Sequence, residues 1–115
     1  MIYLASPYSH PDPVIRADRA AAALIYAAEL MSIGSMVFSP IAYGHSMLAH
    51  RALPTDHVWW ETFNKSMFGV CDSMAVLCLL GWEKSAGIDR ELTWAAERLL
   101  PVHMINADWT TRNTI

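Results

Sequence analysis

The sequence predicts an α/β protein built as a doubly wound, flavodoxin-like parallel sheet of four to five strands flanked by helices. Three observations predict it. Short apolar runs that stop at turn formers alternate with longer helical stretches, as in strand–helix–strand units. One run, Met74-Ala75-Val76-Leu77-Cys78-Leu79-Leu80, is apolar at every position, as a central parallel strand covered on both faces requires. The chain has 115 residues, enough for one domain with a core and too few for two, so residues 1–115 are read as a single domain.

Taken in order, Ile2–Ala5 is too short for a helix and ends in Ser6-Pro7-Tyr8-Ser9, so it reads as a buried strand feeding a polar loop. Asp12-Pro13 supplies a helix cap and a first-turn proline. The apolar series Val14, Ala17, Ala21, Leu24, Ala28, Met31 then keeps helical spacing as far as Gly34. The alanines Ala20–Ala23 let this helix lie close to a sheet or a partner helix. Met36–Phe38 reads as the second strand, closed by Ser39-Pro40. Residues 43–51 are weakly helical, 52–56 form a loop around Pro54, and 58–69 form a helix with Trp59, Trp60, Phe63 and Met67 on its apolar side. The central strand spans Ser73–Leu80, Gly81–Lys84 is a loop, a helix runs from Ser85 to Leu100, and Pro101–Ile105 is the last strand. Asp108–Ile115 is a polar tail, expected to fray.

Composition narrows the function classes. Hydrophobic residues make up 54% and charged ones 17%, against about 45–50% and about 25% in ordinary domains, which excludes a disordered segment. The eight basic residues are scattered and the formal charge is −3, so no basic stripe for duplex nucleic acid is visible. No apolar run reaches the roughly 18–20 residues that cross a bilayer, and no basic leader opens the chain, so a cytoplasmic protein without membrane association is expected. Cys71 and Cys78 read as buried thiols; they and the five histidines lack metal-ligand spacing, and neither a metal nor a cofactor is implied. Five tryptophans and the apolar excess point to a homo-oligomer, a dimer or tetramer.

In doubly wound sheets ligands bind beyond the C-terminal strand ends, which singles out the loops Ser6–His10 and Gly81–Gly87. Ser85 caps the following helix and Gly87 lies just inside it, so a hydroxyl and free backbone N–H groups are offered to an anion. At 100° per residue the stripe Ile88, Leu92, Ala95, Leu99 faces the sheet, and Glu91 lies about 60° from its centre, at the edge of the buried face. A carboxylate so placed is partly desolvated and can act as nucleophile or base. No GxGxxG, P-loop, Gly-x-Ser-x-Gly or His-Glu-x-x-His motif is present.

Ile2-Tyr3-Leu4-Ala5-Ser6-Pro7-Tyr8-Ser9, Phe38-Ser39-Pro40, and Gly81-Trp82-Glu83-Lys84-Ser85-Ala86-Gly87-Ile88-x-x-Glu91 with Ala95 together resemble the nucleoside 2-deoxyribosyltransferase-like superfamily over roughly residues 1–105. The resemblance is to a branch of small bacterial and phage proteins related to nucleoside 5′-monophosphate N-glycosidases. It implies a flavodoxin-like sheet, assembly into dimers or larger oligomers, and an N-glycosidase or deoxyribosyltransferase acting on the base–sugar bond of a nucleotide or nucleoside. By the same resemblance Glu91 is the nucleophile at C1′ and Tyr3 orients it. Ser85 grips a 5′-phosphate where the transferases carry an aspartate, and Ser6 and Tyr8 line the sugar–phosphate pocket, with Gly87 beside them. One position departs from the pattern. An aspartate expected eight residues before Asp72 is Asn64 here, and an amide supplies no proton at neutral pH. Glu61, one turn away, is another candidate for that duty. The departure motivates the alternative of a non-catalytic nucleotide-binding protein of the same fold.

Overall fold

The computed structural model describes residues 1–107; the tail at 108–115, expected to fray, lies outside the described residues. Four strands are joined by four helices, two of them between the second and third strands: β1 (Ile2–Ala5), α1 (Pro13–Ser32), β2 (Val37–Phe38), α2 (Pro40–His50), α3 (His57–Phe68), β3 (Ser73–Leu77), α4 (Ala86–Arg98) and β4 (Val102–Ile105). The strands form one all-parallel sheet in the order β2-β1-β3-β4. The fold is therefore the doubly wound α/β class, with four strands among the described residues. From β1 the chain crosses to one neighbour, β2, and returns on the other side of β1 as β3. The strand order thus reverses between β1 and β3, and the loops leaving these two strands are adjacent at the sheet's C-terminal edge.

Alternation along the two central strands divides the core. Leu4, Ala75 and Leu77 meet Ala22, Tyr26 and Ala27 of α1 on one face. Tyr3, Ala5, Met74 and Val76 meet Phe68 of α3 and Ile88, Trp94 and Ala95 of α4 on the other. Arg98 ties the end of α4 to that layer, donating to the carbonyls of Phe68 at 2.7 Å and Cys71 at 3.2 Å.

Side-chain caps set the helix starts. Asp12 accepts from the Val14 N–H at 2.9 Å, Ser39 from Ala42 at 3.2 Å, Asp56 from Trp59 at 2.9 Å and Ser85 from Ile88 at 3.2 Å. Pro40 occupies the first turn of α2, so that helix begins at Pro40 rather than at residue 43.

The series Val14, Ala17, Ala21, Leu24, Ala28, Met31 faces solvent, while Ala20, Ala22, Ala23, Tyr26 and Ala27 are the buried residues of α1. Alanine on every side of this helix hid which stripe packs. Several expectations change. Strand β3 ends at Leu77, because it pairs only as far as Ala5 on β1 and Ile105 on β4; Leu80 is 95% exposed. Trp82–Lys84 forms a 3-10 turn instead of a loop. Helix α4 stops at Arg98, with Leu99 in the left-handed conformation (φ 55°) and 90% exposed, so Leu99 leaves the sheet-facing stripe. On α3 the buried residue is Phe68, whereas Trp59 is 45% exposed. Cys71 is buried and Cys78 half-buried, and both are free thiols.

Candidate active site

Tyr3 and Glu91 meet inside the core. Tyr3 points from β1 toward the α4 layer, fully buried, with its ring edge-on to Phe68 at 5.0 Å and tilted against Phe38 at 5.8 Å. Glu91 comes from the second turn of α4 and is only 8% exposed. Ile88 and Ala95 lie on one side of it and Trp94 on the other, so it occupies the middle of the buried stripe rather than its edge. The Tyr3 hydroxyl donates to Glu91 Oε2 in a short hydrogen bond. Burial pushes the Glu91 carboxyl up to about 7 against the opposing pull of the Tyr3 hydrogen bond and then of the Arg90 guanidinium. Burial, reinforced by the adjacent carboxylate, drives the Tyr3 phenol well above its ordinary range, so it stays a neutral donor.

Glu91 forms part of the wall of a cleft of about 450 Å³ above the strand ends. Ser6, Tyr8, Asn64, Ser85 and Gly87 line the same cleft, so six of the seven residues singled out from sequence share one cavity. Tyr3, the seventh, sits behind Glu91 and reaches the cleft only through it. The first N–H groups of α4 lack intrahelical acceptors, and the positive end of the helix faces this space. A Cβ at Gly87 would meet only Ser85 Oγ, at 3.8 Å. The protein's own packing therefore does not demand glycine there; a closely approaching ligand would.

The opposite wall comes from α2, α3 and the segment between them, and contains residues that local sequence patterns did not mark. His45 Nδ1 lies 2.8 Å from the Tyr8 hydroxyl, a pairing across 37 residues that no spacing rule could find. Trp60 lies over Gly44, where a Cβ would touch the indole at 3.6 Å, so α2 and α3 approach closely. Thr55, His57 and Glu61 complete this side. Glu61 is 3.4 Å from the Arg90 guanidinium, an ion pair across the mouth of the cleft. Asp72, eight residues after the position where the resemblance expects an aspartate, pairs with the Met1 amine at 3.0 Å, which holds its carboxyl below the usual range.

Ser6 Oγ, Thr55 Oγ1, Trp60 Nε1 and Asn64 Oδ1 are the buried side-chain polar atoms without a hydrogen-bond partner among the described residues, and all four belong to residues of this cleft. Unsatisfied buried polar atoms are few in native proteins, and their concentration at one cavity marks a place where a polar ligand would supply the partners. The loop carrying Ser6 and Tyr8 is braced by α1. Arg19 donates to the carbonyls of Ser9 at 3.0 Å and Leu80 at 3.1 Å, clamping the β1 and β3 loops together, and Arg16 donates to the His10 carbonyl. Gly81 turns beside this clamp at φ 92°, where a Cβ would come within 2.9 Å of the Arg19 guanidinium.

Among the described residues no group of histidine, cysteine, aspartate and glutamate is arranged to hold a metal ion, and no helix is long and apolar enough to cross a membrane. No curated protein matches the sequence. The model of a family described as a domain of unknown function, DUF1937, matches residues 1–107, so the doubly wound domain with its Tyr3–Glu91 cleft belongs to that family.

Proposed function

We propose that the protein breaks the base–sugar bond of a nucleotide or nucleoside, as an N-glycosidase or a 2-deoxyribosyltransferase, with Glu91 as the nucleophile at C1′. The observation that carries this reading is the buried Tyr3–Glu91 pair at the wall of a cleft whose other polar atoms lack partners. A carboxylate held by one phenol and otherwise desolvated is a strong nucleophile for an oxocarbenium-like carbon. In the first step the Glu91 oxygen bonds to C1′ while the C1′–N bond breaks and the base leaves with the electron pair. Water or a second base then bonds to C1′ as the C1′–Glu91 bond breaks and restores the carboxylate, and the proton that the incoming group loses balances the one the departed base takes up. Tyr3 fixes which Glu91 oxygen is free and keeps part of the negative charge in place.

The N-terminus of α4, with Ser85, Gly87 and the unpartnered Ser6 hydroxyl, supports a phosphorylated substrate. Phosphate held there supplies binding energy remote from the reacting carbon. The protein is incubated with a mixture of ribo- and deoxyribonucleoside 5′-monophosphates and free base is followed by chromatography. Release by the wild type, reduced by about 10³-fold in Glu91→Gln, is expected; equal release by that variant overturns the assignment.

A second reading rests on Asn64. At that wall an amide stands where the resemblance expects a carboxylic acid, and Glu61, one turn away on α3, is engaged with Arg90. Without a proton donor for the departing base the same cleft would hold a nucleotide intact. A mononucleotide that raises the melting temperature without losing its base would favour this reading.

A further inference from the structure

Helix α1 is apolar on two opposite sides. Its sheet side is Ala20, Ala22, Ala23, Tyr26 and Ala27. Its solvent side is Val14, Ala17, Ala21, Leu24, Ala28 and Met31, spaced three and four residues apart in turn, the repeat of a helix–helix seam. Val14 is 63%, Leu24 56% and Met31 57% exposed, with Ile25 at 42% on the flank. At 100° per residue these positions fill an arc of roughly 120° that contains no charge. Arg16 and Arg19 turn instead to the loop carbonyls, and Asp18 and Glu29 lie beyond the arc. A helix on the surface of a globular protein ordinarily turns its charged face outward, and one apolar all round is ordinarily buried all round.

We propose that this strip is covered by α1 of a second copy of the chain, the two helices lying antiparallel about a two-fold axis near Ala21 and Leu24. A two-fold contact must be complementary to itself. Reversing the helix about that point sets each Leu24 against the partner's Ala21 and each Ala17 against the partner's Ala28. Leu24 then fills the space over the partner's Ala21, Val14 meets the partner's Met31 at each end of the seam, and the alanines allow the axes to approach to about 8 Å, the close end of helix packing. No like charges meet along the seam, and the antiparallel dipoles attract. The area also fits. The exposed apolar residues of the strip present roughly 600 Å² per copy, the lower bound of the ~600–1,000 Å² each partner buries in a standard interface. The cleft opens on the sheet's C-terminal edge and over the opposite layer, so this contact does not depend on the proposed chemistry.

The test is sedimentation equilibrium of the full chain from about 5 to 200 μM, with Ala21→Glu and Leu24→Glu compared with Val70→Glu, a change at an exposed apolar residue away from α1. All three positions are exposed, and unchanged circular dichroism and melting verify the fold. A dimer in the wild type and in Val70→Glu, with dissociation constants at least 100-fold weaker in the two α1 variants, is the expected result. Wild-type protein monomeric throughout the range, or assembly unaffected by both α1 substitutions, overturns the proposal. Oxidation of the Ala17→Cys, Ala28→Cys double variant should give a covalent dimer; a dimer that persists without this cross-link overturns the antiparallel arrangement.

Discussion

Helices α1 and α4 cover opposite faces of the same sheet, and each departs from ordinary amphipathic patterning in the opposite sense. In α4 a carboxylate, Glu91, stands in the centre of the apolar stripe between Ile88, Trp94 and Ala95. In α1 apolar side chains stand where charges would be expected, at Val14, Leu24 and Met31. A buried charge costs stability unless something compensates it, and an exposed apolar strip forgoes burial that a partner could provide. Neither departure serves the isolated fold, so each points to a task beyond folding. The α4 departure faces a cleft, which suits chemistry on a small molecule, and the α1 departure covers about 30 Å of a smooth helix, which suits another helix.

Restoring apolar or neutral character at Glu91 should therefore separate function from stability, with the largest effect on function. Glu91→Gln is expected to lose about 10³-fold of any base release. Tyr3→Phe should lose less, about 10–100-fold at pH 7. Removing the phenol also removes a contact that lowers the Glu91 pKa, so the rise of rate with pH moves above its wild-type midpoint near 7. A rate profile of Tyr3→Phe superimposable on that of the wild type would break the link between the two residues.

The same raised pKa predicts how stability varies. At pH below 4.5, the carboxyl's ordinary value, Glu91 is protonated whether the chain is folded or not. Between 4.5 and about 7 the unfolded chain releases its proton first, so the folded state holds more protons and stability falls as pH rises. Above about 7 the whole penalty is present, of order 3 kcal/mol by linkage. Urea denaturation at pH 5 and pH 8 should show Glu91→Gln gaining several-fold more on the wild type at the higher pH, because only the first part of the penalty is present at pH 5. An equal difference at both values would mean that the carboxyl is not desolvated.

On α1 the comparison sharpens within one run of alanines. Ala22 and Ala23 are buried against the sheet, while Ala21 is exposed. Enlarging either buried alanine to leucine should cost about 1–3 kcal/mol by overpacking, whereas Ala21→Leu should leave the stability of a monomeric sample within about 0.5 kcal/mol. Chemical denaturation at low protein concentration distinguishes them. A large loss from Ala21→Leu would place a packed face of α1 on the side of Val14, Leu24 and Met31.

The two apolar sides of α1 show which features were legible in the sequence. Strand β1, the largely apolar β3 and the caps Asp12 and Ser85 were readable because each rests on a local rule: a short apolar run bounded by turn formers, or a side-chain acceptor at a helix start. The buried side of α1 was not, because alanine and larger apolar residues occupy both sides and periodicity identifies a stripe without saying what lies against it. Glu91 was found but misplaced. Counting Leu99 in the stripe and leaving out Trp94 rotated the apparent centre away from the carboxylate, whereas helix α4 actually ends one residue before Leu99. His45, Thr55, Trp60 and the Glu61–Arg90 pair were beyond local patterns, since they join the site only through the packing of α2 and α3.

The end of α4 provides the smallest test. The Leu100 N–H bonds back to the Ala95 carbonyl at 2.9 Å and the Leu99 N–H to Ala96 at 3.2 Å, the paired bonds of a Schellman cap, a position usually filled by glycine. Leu99 adopts φ 55°, among the described residues the one non-glycine in the left-handed region, with its side chain almost wholly in solvent. An L-residue there carries about 1–2 kcal/mol of strain, while glycine adds about 0.4–1 kcal/mol of unfolded-chain entropy against folding. Leu99→Gly should therefore stabilise the protein by roughly 0.5–1 kcal/mol, the difference between those two effects. Because Leu99 lies two turns beyond Glu91 and outside the cleft, base release and its pH profile should not change. A loss of stability instead would show that Leu99 contributes packing despite its exposure, and the apolar stripe of α4 would then extend to the position first assigned to it.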